Sequence, residues 1–169
     1  MSSKLQRSVT YPFSVDRFWT VIGSKDYWLD LTAAGGELTT TIDNVEVLDD
    51  SVTVALLHTI PADKLPSAVT RIRSGDLPIA RTVKWTRGPK DSGAGTFAAD
   101  VHGTPATAEG TVTLGPRDDN KKCVVTYDGT VTVKIPLVGG RIEGMIVSSL
   151  IQLLDNEARF TADWSTQHP

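Results

Sequence analysis

The sequence predicts an α+β fold in which a curved antiparallel sheet closes on a long C-terminal helix. Three observations carry that prediction. Stretches of period-two alternation recur along the chain and are joined by short polar turns, the pattern of neighbouring antiparallel strands. Two short capped helices interrupt this pattern, right after the first strand. The chain then runs into PLVGGRIEGMIVSSLIQLLDNEARFTADW, from Pro136 to Trp164, the one element long enough to cover the sheet's concave face. No Pro/Ser-rich linker or internal repeat divides the sequence, so residues 1–169 read as a single domain.

The elements follow in order. Lys4 to Phe13 sets Leu5, Arg7, Val9, Tyr11 and Phe13 against Lys4, Gln6, Ser8 and Thr10, which is a strand. Ser14 caps a short helix, Val15 to Ile22, with Asp16 favouring its first turn, and Gly23 ends it. Ser24 caps a second helix that reaches about Ala33, closed by Gly35-Gly36. Glu37 to Leu48 and Ser51 to Ile60 are strands on either side of the turn Asp49-Asp50. In the second of them Val52, Val54, Leu56, His58 and Ile60 share a face. Pro61 to Asp76 is a loop with a helical turn around Ser67 to Ile72. Strands at Ile79 to Thr86, Thr96 to Val101, Ala106 to Leu114 and Lys121 to Ile135 complete the set. Their turns are Gly88 to Gly95 and Gly115 to Asn120.

Composition narrows the function. A net charge of -3 with scattered cations argues against a nucleic-acid partner, and Lys121-Lys122 is a solvated turn. The single cysteine, Cys123, excludes an internal disulfide and a multi-cysteine zinc site. No apolar h-region follows Met1 and no run of about 18 apolar residues occurs, so the expectation is a cytoplasmic protein without stable membrane insertion. Gly93-Ala94-Gly95-Thr96-Phe97-Ala98 matches a dinucleotide fingerprint as a string, but it opens no helix and reads as a hairpin turn. His58, His102 and His168 lack metal-ligand spacing, so neither a metal nor a cofactor is expected. Cys123 starts a strand on its inward face and reads as a structural thiol rather than a nucleophile.

The inward faces of the strands are more informative. Cys123, Val125, Tyr127, Gly129, Val131, Val133 and Ile135 share one face, as do Ile79, Arg81, Val83 and Trp85, and likewise Phe97, Ala99 and Val101. The inner surface therefore presents the aromatic side chains of Tyr11, Phe13, Trp85, Phe97 and Tyr127, with Arg7, His58 and Arg81 as polar heads. His58 is either a ligand's hydrogen-bond partner or a core histidine satisfied by the protein. Arg7 and Arg81 either snorkel to water at the sheet ends or supply one clasp for a ligand carboxylate.

On the C-terminal helix, Ile142, Ile146, Ser149, Leu153, Phe160 and Trp164 form a stripe flanked by Met145 and Leu150. Ser149, and Gly139 near the first turn, are small residues opposite an aromatic concavity, and so leave volume unfilled. Gly139-Gly140 also reads as a simple joint between strand and helix. Gly144 and Ser148 fall on the opposite side with Val147 and Ile151, which is either a partner's footprint, as in a homodimer, or a thinly covered back face. The candidate cavity residues are thus Tyr11, Leu56, His58, Arg81, Trp85, Phe97, Tyr127, Ile146, Ser149 and Leu153, and no catalytic residue is assigned.

Three stretches resemble a known superfamily: Tyr11-Pro12-Phe13-Ser14-Val15, Ile135-Pro136-Leu137-Val138-Gly139-Gly140-Arg141-Ile142-Glu143, and Glu157-Ala158-Arg159-Phe160-Thr161. With the order of elements around them, they look like the START-like (SRPBCC, Bet v 1-like) superfamily, and more narrowly an actinobacterial family of unknown function. The resemblance covers essentially the whole chain. It implies a helix-grip fold, a curved sheet wrapped round the C-terminal helix with a cavity between. Members bind lipids, sterols, polyketides or plant hormones, and some are aromatase/cyclases. The expectation is a carrier or binder of a small hydrophobic molecule, with the short helices and the Pro61 to Asp76 loop as its portal. The alternatives are a cyclase using His58 or Tyr127 as general acid/base, and an interaction module using the Gly144/Ser148/Ile151 surface.

Overall fold

The computed structural model describes residues 2–35 and 38–169. The chain order is β1 (Ser2–Tyr11), α1 (Val15–Ile22), α2 (Lys25–Ala33), β2 (Thr39–Val47), β3 (Ser51–Ile60), a 3-10 turn (Ala62–Lys64), α3 (Ser67–Thr70), β4 (Leu77–Arg87), β5 (Gly93–Val101), β6 (Ala106–Arg117), β7 (Lys122–Val133) and α4 (Gly139–Gln167). The seven strands form one antiparallel sheet in the order β1-β7-β6-β5-β4-β3-β2. The first strand thus pairs with the last, as in Leu5 opposite Gly129 and Tyr11 opposite Cys123. This is the predicted helix-grip architecture.

Local chemistry explains the early helices. Ser14 Oγ accepts from Arg17 N at 3.2 Å, and Ser24 Oγ accepts from Tyr27 N at 3.3 Å, so both predicted caps form. The apolar face of α1 then buries Phe18 and Trp19 against Trp85 of β4. That packing seals one end of the sheet with aromatic rings.

Several boundaries differ from those expected. β1 starts at Ser2 and stops at Tyr11, leaving Phe13 in the turn before α1. Gly36 and Glu37 lie outside the described residues, and the strand that follows is described from Thr39. The string from Gly93 to Ala98 is not a hairpin turn but the first two-thirds of β5. Its glycines are there for close approach: a Cβ at Gly95 would collide with the carbonyl of Lys84 on β4. β6 likewise continues through Gly115 and Pro116 to Arg117, and the turn is Asp118-Asp119-Asn120, all left-handed at φ 53, 53 and 61°. Short polar side chains tolerate that region best, which is why Asp and Asn occupy it.

The joint into α4 is tight. Leu137 takes φ 71°, Gly139 N donates to Ile135 O at 2.9 Å, and a Cβ on Gly139 would stand 2.5 Å from Val133 O. Here the joint reading of the glycine is the right one. One turn on, Glu143 is fully buried; it accepts from Val133 N at 2.9 Å and from Ser3 Oγ at 2.8 Å. The helix is thereby pinned to the ends of β1 and β7, and along its length it rests mainly on those two strands.

That lean corrects the expected helical stripe. Ile142, Leu154, Thr161 and Trp164 are buried, whereas Ser149 is exposed and Leu153 and Phe160 are half-buried. Val147 and Ile151, expected on the outer side, pack against the core with Leu150. Gly144 and Ser148 do face outward, and nothing of this chain lies within 4 Å of a Cβ at Gly144. Because α4 leans towards β1 and β7, its other flank stands off β3, β4 and β5. The space between is where a site can be.

Candidate functional site

Three adjoining hollows fill that space. An inner chamber of about 60 Å³ has aromatic walls from Phe18, Trp85, Phe97 and Tyr127, and a charged corner at Arg81 and Glu157. A second, almost wholly apolar cavity of about 160 Å³ lies between Ile79, Val101 and Ala106 of the sheet, Ile142 and Ile146 of α4, and Leu65, Val69 and Ile72 of the loop after β3. A wider groove of about 790 Å³ runs between α2, the β2–β3 pair and α4, past Leu31, Thr40, His58, Gln152 and Phe160. Ala99, Ala108 and Leu150 wall both the chamber and the apolar cavity. Ile60, Leu65, Pro66 and Ser149 wall both the apolar cavity and the groove, and Glu157 borders chamber and groove alike. The three adjoin one another between sheet and helix.

All ten sequence-derived candidates line this interior, but in separate compartments. Tyr11, Arg81, Trp85, Phe97 and Tyr127 surround the inner chamber. Leu56, His58 and Leu153 line the groove, Ile146 the apolar cavity, and Ser149 both of these. The alternation of β3 and β4 places Leu56 opposite Arg81 and His58 opposite Ile79, so His58 and Arg81 share the concave face of adjacent strands.

The polar groups find partners that the sequence reading did not name. Arg81 Nη2 donates to Glu157 Oε1 at 2.7 Å, with side chains only 11% and 17% exposed. Arg81 does not snorkel to water: burial works against its charge, but Glu157 outweighs burial and its pKa is raised. Arg7 reaches towards solvent but forks onto Asp155 of α4 at 2.9 and 2.7 Å. Both arginines therefore clasp helix carboxylates. His58 is buried, its Nδ1 lies 3.0 Å from Thr40 Oγ1, and its Nε2 has no partner among the described residues. It is half satisfied, between the two readings offered for it. Burial, and then the nearby Arg81 charge, lower its pKa from 6.5 to about 4, so it is neutral at pH 7.

Two further groups bear on chemistry. Burial, then Glu157, raise the Tyr127 pKa, so its hydroxyl keeps its proton at neutral pH. Burial pushes the Cys123 thiol up to about 12, as suits a structural thiol. Deeper on α4, Thr161 Oγ1 donates to Glu157 O at 2.6 Å and so accepts from the Tyr27 hydroxyl at 2.7 Å. Trp164 Nε1 donates to Asp30 at 2.8 Å. Glu143 and Glu157 were missed as interior carboxylates. A signal existed: an inward arginine on a central strand needs a carboxylate, and Glu157 lies one helical turn from both Leu153 and Phe160.

A family model described as a protein of unknown function (DUF2505) matches residues 6–164. The chain belongs to this DUF2505 family. An uncharacterised protein of Mycobacterium tuberculosis is 30% identical over 175 residues, covering 99% of each chain. Among solved structures, norcoclaurine synthase of Thalictrum flavum, in complex with dopamine and hydroxybenzaldehyde, matches with TM-score 0.57 at 14% identity, over 100% of this chain and 89% of the other. A START superfamily protein of Mycobacterium smegmatis matches with TM-score 0.50 at 10% identity, over 98% and 99%. An aromatase/cyclase of Streptomyces sp. R1128 matches with TM-score 0.51 at 9% identity, over 98% and 92%. The START-like fold of this DUF2505 member is therefore shared with a synthase and an aromatase/cyclase as well as with a START superfamily protein. No helix among its described residues is long and apolar enough to cross a membrane.

Proposed function

We propose that this chain binds and carries a small hydrophobic molecule, lipid-, sterol- or polyketide-like, in the interior between sheet and C-terminal helix. The observation that carries the reading is the apolar cavity of about 160 Å³, which shares walls with an aromatic chamber and an outward groove. Protein interiors are close-packed, and an apolar hollow of about 150 Å³ stays dry and accepts a benzene-sized molecule. A ligand burying roughly 300 Å² of apolar surface gains several kcal/mol before its entropy losses. The groove between α2 and α4 is the mouth, and the loop from Pro61 to Asp76 covers the apolar end.

The cyclase alternative rests on His58 or Tyr127 as general acid/base. The ring partner of His58 is a threonine hydroxyl, not a carboxylate that would raise its basicity, and Tyr127 is held protonated. Carrier function is therefore the better supported reading. Native mass spectrometry of the protein isolated from its own host, followed by organic extraction, tests it. The expected result is a co-purifying apolar mass that extraction removes. An empty protein that also shows no thermal shift with fatty alcohols, sterols or aromatic polyketides overturns it. Light scattering of the wild type and Ser148→Arg addresses the homodimer reading separately: a dimer lost in the variant would favour it.

A further inference from the structure

Three connections converge at the end of the molecule that roofs the apolar cavity: the loop after β3, the β5–β6 turn and the β7–α4 joint. Lys134 N donates to Pro105 O at 3.0 Å, and a Cβ on Gly103 would lie 2.9 Å from Arg73 Nε. Ile72, Leu137 and Val138 on these connections are exposed. Leu137 is wholly so, and it holds φ 71°, a left-handed conformation that bulky side chains rarely adopt. A backbone outlier tipped with a bare leucine has no explanation within the chain and points to a contact surface. Ile72 also lines the apolar cavity, and Val138 O accepts at 3.1 Å from the N–H of Ile142, another of its walls. The exposed tips therefore stand immediately outside that cavity.

Charge decides which occupant fits. Arg71, Arg73, Lys134 and Arg141 flank the tips in sequence, and none of them forms a salt bridge among the described residues. Arg73 donates to the main-chain oxygen of Asp76. The carboxylates nearby are Asp63, Asp76, whose Oδ1 already accepts from Ala62 N at 3.0 Å, and Asp100, which lies beside His102. The chain as a whole carries a net charge of -3, so this end runs against the rest. A second copy meeting the same patch face to face would set these cations against their own kind. A nucleic acid would match the charge, but the tips are aliphatic and offer its bases no aromatic platform. An anionic bilayer takes both features, the aliphatic tips at the acyl boundary and the cations among the headgroups.

We infer that this end of the molecule docks reversibly on an anionic lipid bilayer. Ile72, Leu137 and Val138 enter the interface, and Arg71, Arg73, Lys134 and Arg141 meet the lipid phosphates. Three aliphatic side chains and four cations give peripheral binding rather than insertion. The inference needs no bound ligand and so stands apart from the carrier reading. Where both hold, the apolar cavity lies against the membrane, and cargo enters or leaves beside the bilayer.

Co-sedimentation of the full chain with vesicles tests it, using phosphatidylcholine alone and phosphatidylcholine mixed with phosphatidylglycerol, at low and high salt. The wild type is expected to bind the mixed vesicles at least about tenfold tighter than phosphatidylcholine, and to weaken as salt rises. Arg71→Glu combined with Arg141→Glu reverses two exposed charges and should weaken binding to the mixed vesicles at least about tenfold. Leu137→Asn removes the apolar tip but keeps a residue that tolerates the left-handed backbone, so it should bind more weakly with its Tm unchanged or higher. A wild type that stays in the supernatant of mixed vesicles at low salt overturns the inference. So does equal binding to both vesicles, or binding of both variants at the wild-type level. A concentration-dependent dimer that Leu137→Asn abolishes, read by light scattering, would give the patch to a second copy and overturn it as well. None of these outcomes touches the carrier reading, which the extraction experiment decides.

Discussion

The imidazole of His58 is neutral because the fold encloses it and sets it beside Arg81, and this has a consequence for stability. Its folded pKa of about 4 lies below the unfolded 6.5, so between those values the unfolded chain binds the extra proton. Stability therefore rises with pH across that window, by up to about 3 kcal/mol, and falls on acidification until the effect saturates near pH 4. Urea unfolding at a series of pH values should show this slope, and His58→Gln should flatten it. Glu143 acts lower on the scale. The Val133 N–H holds its carboxyl below 4.5, a direction that burial opposes and the Ser3 hydroxyl reinforces. Its contribution is present above 4.5 and is lost as pH falls through the lowered folded value, so Glu143→Gln should blunt the acid limb alone. Cys123, buried with its thiol pushed up to about 12, should resist a thiol reagent until the protein unfolds. Strand alternation was enough to place His58, Arg81 and Cys123 inside. It did not name Thr40 and Glu157 as partners, because these come from elements whose approach no periodicity records.

Among the elements, the glycines separate two roles that composition alone runs together. Gly110 and Gly129 face each other on β6 and β7, and the Phe97 ring lies over them. A Cβ on Gly129 would collide with the Glu109 carbonyl and come within 2.6 Å of Phe97 Cζ. Gly129→Ala should therefore force the strands apart and cost about 1–3 kcal/mol, visible as a lower Tm. Gly144 is the opposite case, exposed in mid-helix with open space where its Cβ would be. Gly144→Ala should stabilise α4 by about 1 kcal/mol, since the glycine costs the helix that much. The strand cores, both early helix caps and the existence of α4 were all legible in the sequence. The rotation of α4 was not. An apolar stripe centred on Ser149 and Leu153 and one centred on Leu150 and Leu154 differ by a single residue step. The buried bonds of Glu143 to Val133 and Ser3 choose between them.

At the scale of the molecule, the hollow follows from how α4 is anchored. Fixed to β1 and β7 through Glu143 and Asp155, and to α2 through Trp164, the helix lies to one side of a sheet that curls past it, and close packing is left incomplete on the β3–β5 side. If that gap is retained for a ligand, filling it should trade function for stability. Ser149 is the place to try, because it borders both the apolar cavity and the groove. Ser149→Leu adds apolar volume and helix propensity, so the free protein should melt a few degrees higher, since about 1 kcal/mol corresponds to roughly 2–4 °C in a domain this size. The same variant should lose most of its affinity for whichever fatty alcohol, sterol or aromatic polyketide the wild type binds. Ser148→Leu, one position round the helix on the outward face, gains the propensity without entering the hollow, and should bind as the wild type does. A Ser149→Leu protein that is more stable and binds unchanged would show that the passage between groove and cavity is not the ligand's route, and would move the mouth to the Pro61 to Asp76 loop.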